Sequence, residues 1–357
     1  MASRKNSRNG RGGPEQEIDR YDQVDRNQYG GRDIYSSSSG PRPRRRRKKK
    51  RRGRKILTAF LSLLVLLAVG LFVYANTMLS RISRDNTDPQ SYVQLPSDAP
   101  SWDVAQDKKV TNILLIGTDR EQDGLRRSDS MMLVSIDNQN KKLHLTSFLR
   151  DLYLEIPTVG KDKLNASFSN GGAALTMQTI ENNFRVNVDR YVQIDVDSFA
   201  EVIDKMGGID VVVNKAEADE MNRVKHCNFS AGKNHMRGTL AVYYARMRNI
   251  DTDFARTGRQ RQVIRCMIDK LKTRNPIEMT GILYDYLQYV KTNLTDTELI
   301  SLAAGAMKIM DYPIDTMHVP NTDTYRNLTL DNGAKVLDVD LEKNCAMLRK
   351  FIYGAEE

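Results

Sequence analysis

Cysteine is close to missing from this chain. Cys227, Cys266 and Cys345 are the full set, so at most one internal disulfide can form. No pair has the spacing of metal ligands, which excludes a disulfide scaffold and argues against a zinc site. Histidine is equally thin: His144, His226, His235 and His318 are scattered and form no HExxH motif. Chemistry built on a histidine base or a zinc-bound water is therefore not expected. The glycines show no phosphate-loop pattern, and no internal repeat is evident.

Acidic residues are sparse in the first 55 positions, where 6 Asp and Glu face 19 Lys and Arg, a net of +13. The whole chain carries +10, so the remaining residues sum to about −3 and the basic character belongs to the tail. That tail is rich in Arg, Gly, Ser and Asn and poor in apolar residues. It cannot bury enough surface to offset its ordering entropy, and disorder is expected for residues 1–55. It ends in PRPRRRRKKKRRGRK, after which charge disappears: Ile56 to Ala75 is 20 residues of ILTAFLSLLVLLAVGLFVYA, and the uncharged run reaches Ser80. At 1.5 Å per residue this covers about 30 Å, the hydrocarbon thickness of a bilayer. The long leader and long apolar run argue against a cleavable signal peptide. A membrane helix over 56–76 is expected, with the basic cluster kept cytoplasmic and the C-terminal part exported. The polybasic run is then a topology determinant touching anionic headgroups, a better reading than a nucleic-acid-binding arm.

Residues 77–109, with Pro89, Pro96 and Pro100, read as a polar extracellular stalk. The remainder, 110–357, alternates strand and helix patterns. VTNILLIG is a buried strand delivering a loop, and MMLVSID and KLHLTSF form a hairpin around DNQNK. ALTMQTIENNF has helical spacing, YVQIDV and IDVVV are strands, and DSFAEVIDKMGG is a capped helix. Arginine-bearing helices are expected over about 238–247 and 256–272, more helix over 276–309, and a last helix over 341–352. The interleaving predicts one α/β (α+β) domain with a central mixed sheet flanked by helices.

Chemistry concentrates in two arginine-dense segments. SFLRD carries Arg150, and YYARMRNIDTDFARTGRQRQ carries Arg246, Arg248, Arg256, Arg259 and Arg261. Guanidinium groups bond phosphate oxygens two at a time and stay charged, while crowded like charges repel, so a polyanion is the expected ligand. Arg246 and Arg248 can converge only if their helix ends near them, and Asn249 to Asp253 supplies a break. Arg256, Arg259 and Gln260 open the next helix, where the dipole favours anions. GTDREQDGLRRSDS adds Asp119, Arg120, Arg127, Asp129 and Ser130 at strand ends, where α/β sheets place ligands. The hard oxygens of Asp119 and Asp129 suit Mg²⁺ (or Mn²⁺) completed by substrate phosphates. Asp251-Thr-Asp253 matches the DxD of metal-dependent glycosyltransferases, but Asp195-Val-Asp197 and Asp338-Val-Asp340 match it equally.

The ordered series of strand-GTDR, RSDSMMLVSI, SFLRD, KLNASFSNGG, DRYVQIDVDSF, MGGIDVVV, YYARMR and DFARTGRQRQ resembles the LytR-CpsA-Psr proteins over about residues 110–275. KVLDVDLEKNCAMLRKFIYG extends the likeness more weakly to the C-terminus. The resemblance implies a membrane-anchored phosphotransferase of Gram-positive envelopes. Such an enzyme moves a glycopolymer phosphate from a polyprenyl-pyrophosphate carrier to a muramic-acid hydroxyl of peptidoglycan. Asp119 and Asp129 would then hold Mg²⁺; Arg120, Arg127, Arg150, Arg246, Arg248, Arg256, Arg259 and Gln260 would bind pyrophosphate; Asp129 or Asp253 would be the base. Two departures are local: Leu149 stands where the family usually has proline, and His-Met-Arg-Gly replaces Leu-Asn-Gly before the first arginine helix. Alternatives are a prenyl-pyrophosphate hydrolase, a glycosyltransferase using a DxD, and a membrane-tethered regulator of envelope genes. No nucleic-acid partner is expected, and the oligomeric state and the identity of the polymer leave no mark on the sequence.

Overall fold

The computed structural model describes residues 50–85, 103–120, 126–275, 278, 281, 282, 284, 285 and 287–354. Residues 1–49 of the tail and 86–102 of the expected stalk lie outside them. Two compact units, Met1–Ser62 and Leu63–Glu357, divide the chain. Helix α1 (Lys50–Leu79) contains the 20-residue stretch Phe60–Leu79, long and apolar enough to cross a membrane, with mean hydropathy 2.1. Its Phe60, Leu64, Leu66, Val69 and Phe72 stand exposed, a surface suited to lipid rather than water.

The end of α1 and the residues after it belong to the folded domain. Met78 and Ile82 are buried with Leu287, and the Arg81 guanidinium lies 3.8 Å from the centre of the Tyr284 ring. Strand β1 (Ser83–Arg84) then joins the main sheet beside a short strand at Val290–Thr292.

Four strands make the middle of that sheet: β2 (Val110–Arg120), β3 (Arg126–Asp137), β4 (Lys142–Phe148) and β7 (Arg190–Asp195). Between β4 and β7 the chain forms the separate ribbon of β5 (Tyr153–Ile156) and β6 (Gly160–Lys163). β2–β3 and β3–β4 are antiparallel, whereas β2–β7 is parallel. The full order is β1-β10-β7-β2-β3-β4-β11, with β10 at Val290–Thr292 and β11 at Ile314–Val319. The mixed sheet of the sequence reading is thus observed.

Strand periodicity explains the layers. On one face Leu114, Ile116, Leu133 and Phe148 pack against Met177, Ile180 and Phe184 of α2 (Leu164–Phe184). Leu348 and Ile352 of α8 (Leu341–Tyr353) complete that core. On the other face Ile113, Leu115, Val134 and Val192 meet Leu302 and Ile309 of α7 (Asp296–Met310). A further core joins α3 (Val196–Lys205), α5 (Gly238–Arg246), α6 (Asp253–Lys272) and the β8–β9 ribbon (Ile209–Val213, Gly232–Met236). Helix α4 (Lys215–Lys225) follows β8 and starts in a capping box of Asn214 and Glu217.

Three expectations shift. The GTDR and RSDS segments, expected as loops, extend the β2–β3 ladder to Arg120 and Arg126, since backbone pairing continues past Gly117. The helix expected over 276–309 is interrupted by β10, because Val290–Thr292 finds open edges of both β1 and β7. α2 starts ten residues early, at Leu164, and kinks at Gly171–Gly172. Gly172 has φ +62, a conformation cheap only for glycine.

Two predictions concern this framework. A Cβ at Gly238 would sit 1.9 Å from the Ala200 carbonyl oxygen, so α3 and α5 touch backbone to backbone. Gly238→Ala is expected to destabilise the domain by about 3 kcal/mol, read from urea unfolding. The second concerns Glu298, which accepts hydrogen bonds from Arg190 and Thr295 and so fastens α7 to β7. Burial alone would raise its pKa, but the Arg190 and Thr295 contacts bring it down to about 2. A carboxylate depressed by folding stabilises above its unfolded value and loses that contribution as pH falls through the folded one. Glu298→Gln should therefore be less stable than the native chain at pH 7, with the gap closing between pH 4.5 and about 2.

Candidate functional site

Asp129 owes its position to a backbone irregularity. Gly117 pairs with Ser130 and Thr118 with Ser128, so Asp129 is the extra residue of a β-bulge. Bulges re-aim a side chain beside sites of this kind. Arg150 follows the end of β4 and donates from Nη1 to the Asp129 carboxylate at 2.7 Å. Arg248 approaches the same carboxylate at 3.8 Å. Burial alone would raise the Asp129 pKa; the Arg150 hydrogen bond and the charges of Arg150, Arg248 and Arg256 outweigh it and hold the group ionised.

Helix α5 ends at Arg246, because Met247 leaves the helical region with ψ 131. The break comes a little before the expected one at Asn249, and it releases Arg248 from the helical spiral. Arg246 bonds Asp119 at the end of β2. Thr252 caps α6, its hydroxyl accepting from the Ala255 N–H. The helix therefore begins at Asp253 rather than near Arg256. Asp253 lies 2.8 Å from Arg256 and 3.7 Å from Arg150. Lys163 and Asp151 extend the array, 2.7 Å apart, with Asp151 3.5 Å from Arg150.

The structure thus gathers Asp119, Asp129, Asp253, Arg150, Arg246, Arg248 and Arg256 at one end of the sheet. Arg256 is only 2% exposed, and its Nε and Nη1 have no hydrogen-bond partner. Burial and the neighbouring cations Arg248 and Arg150 pull its pKa down to about 10, against the charge of Asp253. It stays charged at neutral pH with donors to spare. The side chains of Arg120 and Arg127 lie outside the described residues.

Arg259 stands apart from this array. It is 3% exposed and donates to both oxygens of Asp251, to Glu217 and to the Met247 carbonyl. Tyr244 adjoins the network, its hydroxyl 3.4 Å from the Glu217 carboxylate and 2.7 Å from the Gln262 amide oxygen. All its visible bonds are internal, and they tie down residues 247–251, the segment that carries Arg248. Glu217 went unnoticed in the sequence because it lies far from the arginine segments, on α4. The remaining DxD matches are accounted for locally: Asp195 caps α3 and Asp340 caps α8. All three cysteines are free thiols.

Behind the array opens a cavity of about 610 Å³ between the sheet and helices α3, α5, α6 and α7. Leu115, Met132, Val192, Phe199, Ile264 and Met307 represent its apolar wall. Ser130, Arg246 and Gln260 supply polar groups, and the Ser130 hydroxyl donates to Gln260 at 3.2 Å. Among the described residues no group of three or more His, Cys, Asp or Glu forms a metal cage.

An apolar cavity bordered by an arginine–aspartate array suits an amphiphile with an anionic head. The model of the LytR_cpsA_psr family matches residues 71–350, and the chain belongs to that family. Together with α1, this makes it a membrane-anchored protein. TagV of Bacillus subtilis strain 168, a polyisoprenyl-teichoic acid–peptidoglycan teichoic acid transferase, is 33% identical over 292 residues, 76% of this chain and 72% of its own. TagU of Bacillus anthracis, named for the same transfer, is 31% identical over 256 residues, 70% and 82% of the two chains. The crystal structure of B. subtilis TagV, at 31% identity, superposes with a TM-score of 0.56, covering 69% of this chain and all but 2% of that one. TagT bound to LIIa-WTA shares the fold at 24% identity, with a TM-score of 0.58, over 74% of this chain and 100% of its own.

The two kinds of arginine should separate experimentally. Asp251→Ala leaves a buried guanidinium short of its main partner and is expected to cost about 3 kcal/mol in urea unfolding. Arg246→Ala removes a half-exposed side chain and should change stability by less than about 0.5 kcal/mol.

Proposed function

We propose that this chain transfers a glycopolymer phosphate from a polyprenyl-pyrophosphate carrier to a peptidoglycan muramic-acid hydroxyl, forming a phosphodiester. The observation that carries this reading is that Arg246 belongs both to the wall of the apolar cavity and to the ionic array. A prenyl chain fits the apolar wall, and the pyrophosphate then meets Arg246, Arg248, Arg150 and Arg256. Arg120, Arg127 and Gln260 belong to the same proposal, while Arg259 serves it by holding the 247–251 segment. The names of the TagV and TagU relatives support both the transfer and the teichoic-acid class of polymer; capsule is a polymer with the same carrier chemistry. By the positive-inside rule the basic cluster before α1 is cytoplasmic and the domain faces outward, beside such lipids.

In this reaction the acceptor hydroxyl oxygen bonds to the glycan-bearing phosphorus, and the bond from that phosphorus to the carrier phosphate breaks. The carrier leaves as a polyprenyl monophosphate, and the hydroxyl proton passes to a carboxylate. Asp253 is the better placed of the two candidates, since Asp129 accepts a hydrogen bond from Arg150, whereas Asp253 Oδ2 lies 2.8 Å from Arg256 without accepting one. The arginines stabilise charge on the transferring group, the main burden of phosphoryl-transfer catalysis. Asp119 and Asp129 offer hard oxygens that fit Mg²⁺ or Mn²⁺, a cation satisfied by one or two carboxylates plus phosphates. When bound, the cation would neutralise pyrophosphate charge.

The test uses full-length protein, a polyprenyl-pyrophosphate glycan, Mg²⁺ and a peptidoglycan acceptor. Arg246→Ala and Arg248→Ala are each expected to reduce kcat/KM for transfer by about 100-fold or more. Undiminished transfer would remove these residues from the site, and release of free glycan phosphate in the presence of acceptor would favour hydrolysis.

A further inference from the structure

Beside Asp253, on the side away from the apolar cavity, three rings form one surface. Phe254, the residue after Asp253 on α6, meets His318 of β11 edge to face at 5.1 Å. It also lies 5.2 Å from Tyr325, tilted by 33°. Tyr325 opens β12 (Tyr325–Thr329), which pairs antiparallel with β13 (Lys335–Val339). All three rings are half-buried, and Phe254 also packs against the core of α2 and α8. The His318 ring is fixed as well: its Nδ1–H donates to the Pro320 carbonyl at 2.8 Å, since a carbonyl can only accept.

None of these rings lines the apolar cavity, and neither do Arg150 nor Asp253, whereas Arg246 does. The contacts run in sequence from the cavity wall: Arg246 with Asp119, Arg248 and Arg150 on Asp129, Arg150 near Asp253, and then Phe254. Phosphoryl transfer sets the attacking and leaving oxygens roughly in line. If the leaving carrier phosphate occupies the cavity side, the attacking hydroxyl enters from the Asp253 side, where the rings stand. A ring face carries partial negative charge and suits the C–H face of a pyranose, while the adjacent carboxylate suits its hydroxyls.

We propose that Phe254, His318 and Tyr325 form the subsite for a sugar ring of the acceptor glycan, stacking it so that a hydroxyl is presented to Asp253. The proposal rests on the transferase reading for its orientation, but it makes a binding claim of its own. Tyr325 is the residue to vary, because its hairpin lies at the edge of the domain and Phe254 also packs on the core.

The experiment measures two things on the full-length chain in detergent: affinity for short peptidoglycan glycan fragments without donor, and steady-state transfer with donor. Tyr325→Ala should weaken fragment binding and raise the acceptor KM by about three- to ten-fold, the worth of one aromatic contact. Donor affinity should be unchanged, and Tyr325→Phe should behave like the native chain. Tyr325→Leu keeps apolar bulk but lacks the ring, and covers the case in which Tyr325→Ala fails to fold. Native fragment affinity and native acceptor KM in a folded Tyr325→Ala or Tyr325→Leu chain would overturn the subsite while leaving transferase activity standing. A fall in donor affinity instead would assign the rings to donor sugars and likewise overturn it. Tyr325-dependent fragment binding in a chain that transfers nothing would uphold the subsite and remove the transferase reading.

Discussion

Four guanidinium groups at one end of a sheet repel one another, and the rest of the site follows from how that repulsion is held. Arg150, Arg246, Arg248 and Arg256 are interleaved with Asp119, Asp129 and Asp253, so nearly every cation has an anion between it and the next. The balance is incomplete. Arg256 keeps two unpartnered donors in a nearly dry setting, where an unmet hydrogen bond is expensive. An anion arriving there relieves both the repulsion and the unmet donors. The site is thus preorganised for negative charge before any ligand enters.

Holding such an array requires stiffness that the arginines themselves cannot supply. The bulge at Asp129 comes from the pairing of two long strands, and residues 247–251 are pinned by Arg259 through Asp251, Glu217 and the Met247 carbonyl. Arg259 looks in sequence like one more member of the cluster. In the fold it is a buried tie, bonded inward through both terminal nitrogens, and it works through the loop carrying Arg248. The same α5–α6 unit walls the apolar cavity and carries Phe254 to its contacts with His318 and Tyr325, so lipid-fitting, ionic and aromatic surfaces share one pair of helices.

Much of this was legible in the residues. The short apolar run in VTNILLIG marks a buried strand, and both faces of that strand are covered, by α2 and α8 on one side and α7 on the other. The uncharged run from Ile56 appears as the apolar part of α1. The break after Arg246 was anticipated, although it comes earlier because Met247 itself leaves the helix. β10 was not legible: Val290–Thr292 is too short to show a period and becomes a strand only because β1 and β7 offer it edges. Nor could Arg259 be told from Arg256, since both open one helix and differ only in which carboxylates face them from other elements.

The sequence by itself determined the apolar run that fits a bilayer, the alternation of strands and helices, and the supply of arginines and aspartates in two segments. Those are local properties, carried by hydropathy, period and charge. Tertiary structure decided which arginines pair inward and which are left with free donors, where Asp129 points, and that a cavity and an aromatic surface flank the array. Each depends on partners distant in the chain, such as Gly117 with Ser130, Arg259 with Glu217, or Phe254 with Tyr325. The reason is physical: a charge acquires its role from the groups within a few ångströms of it, and only the fold sets which groups those are.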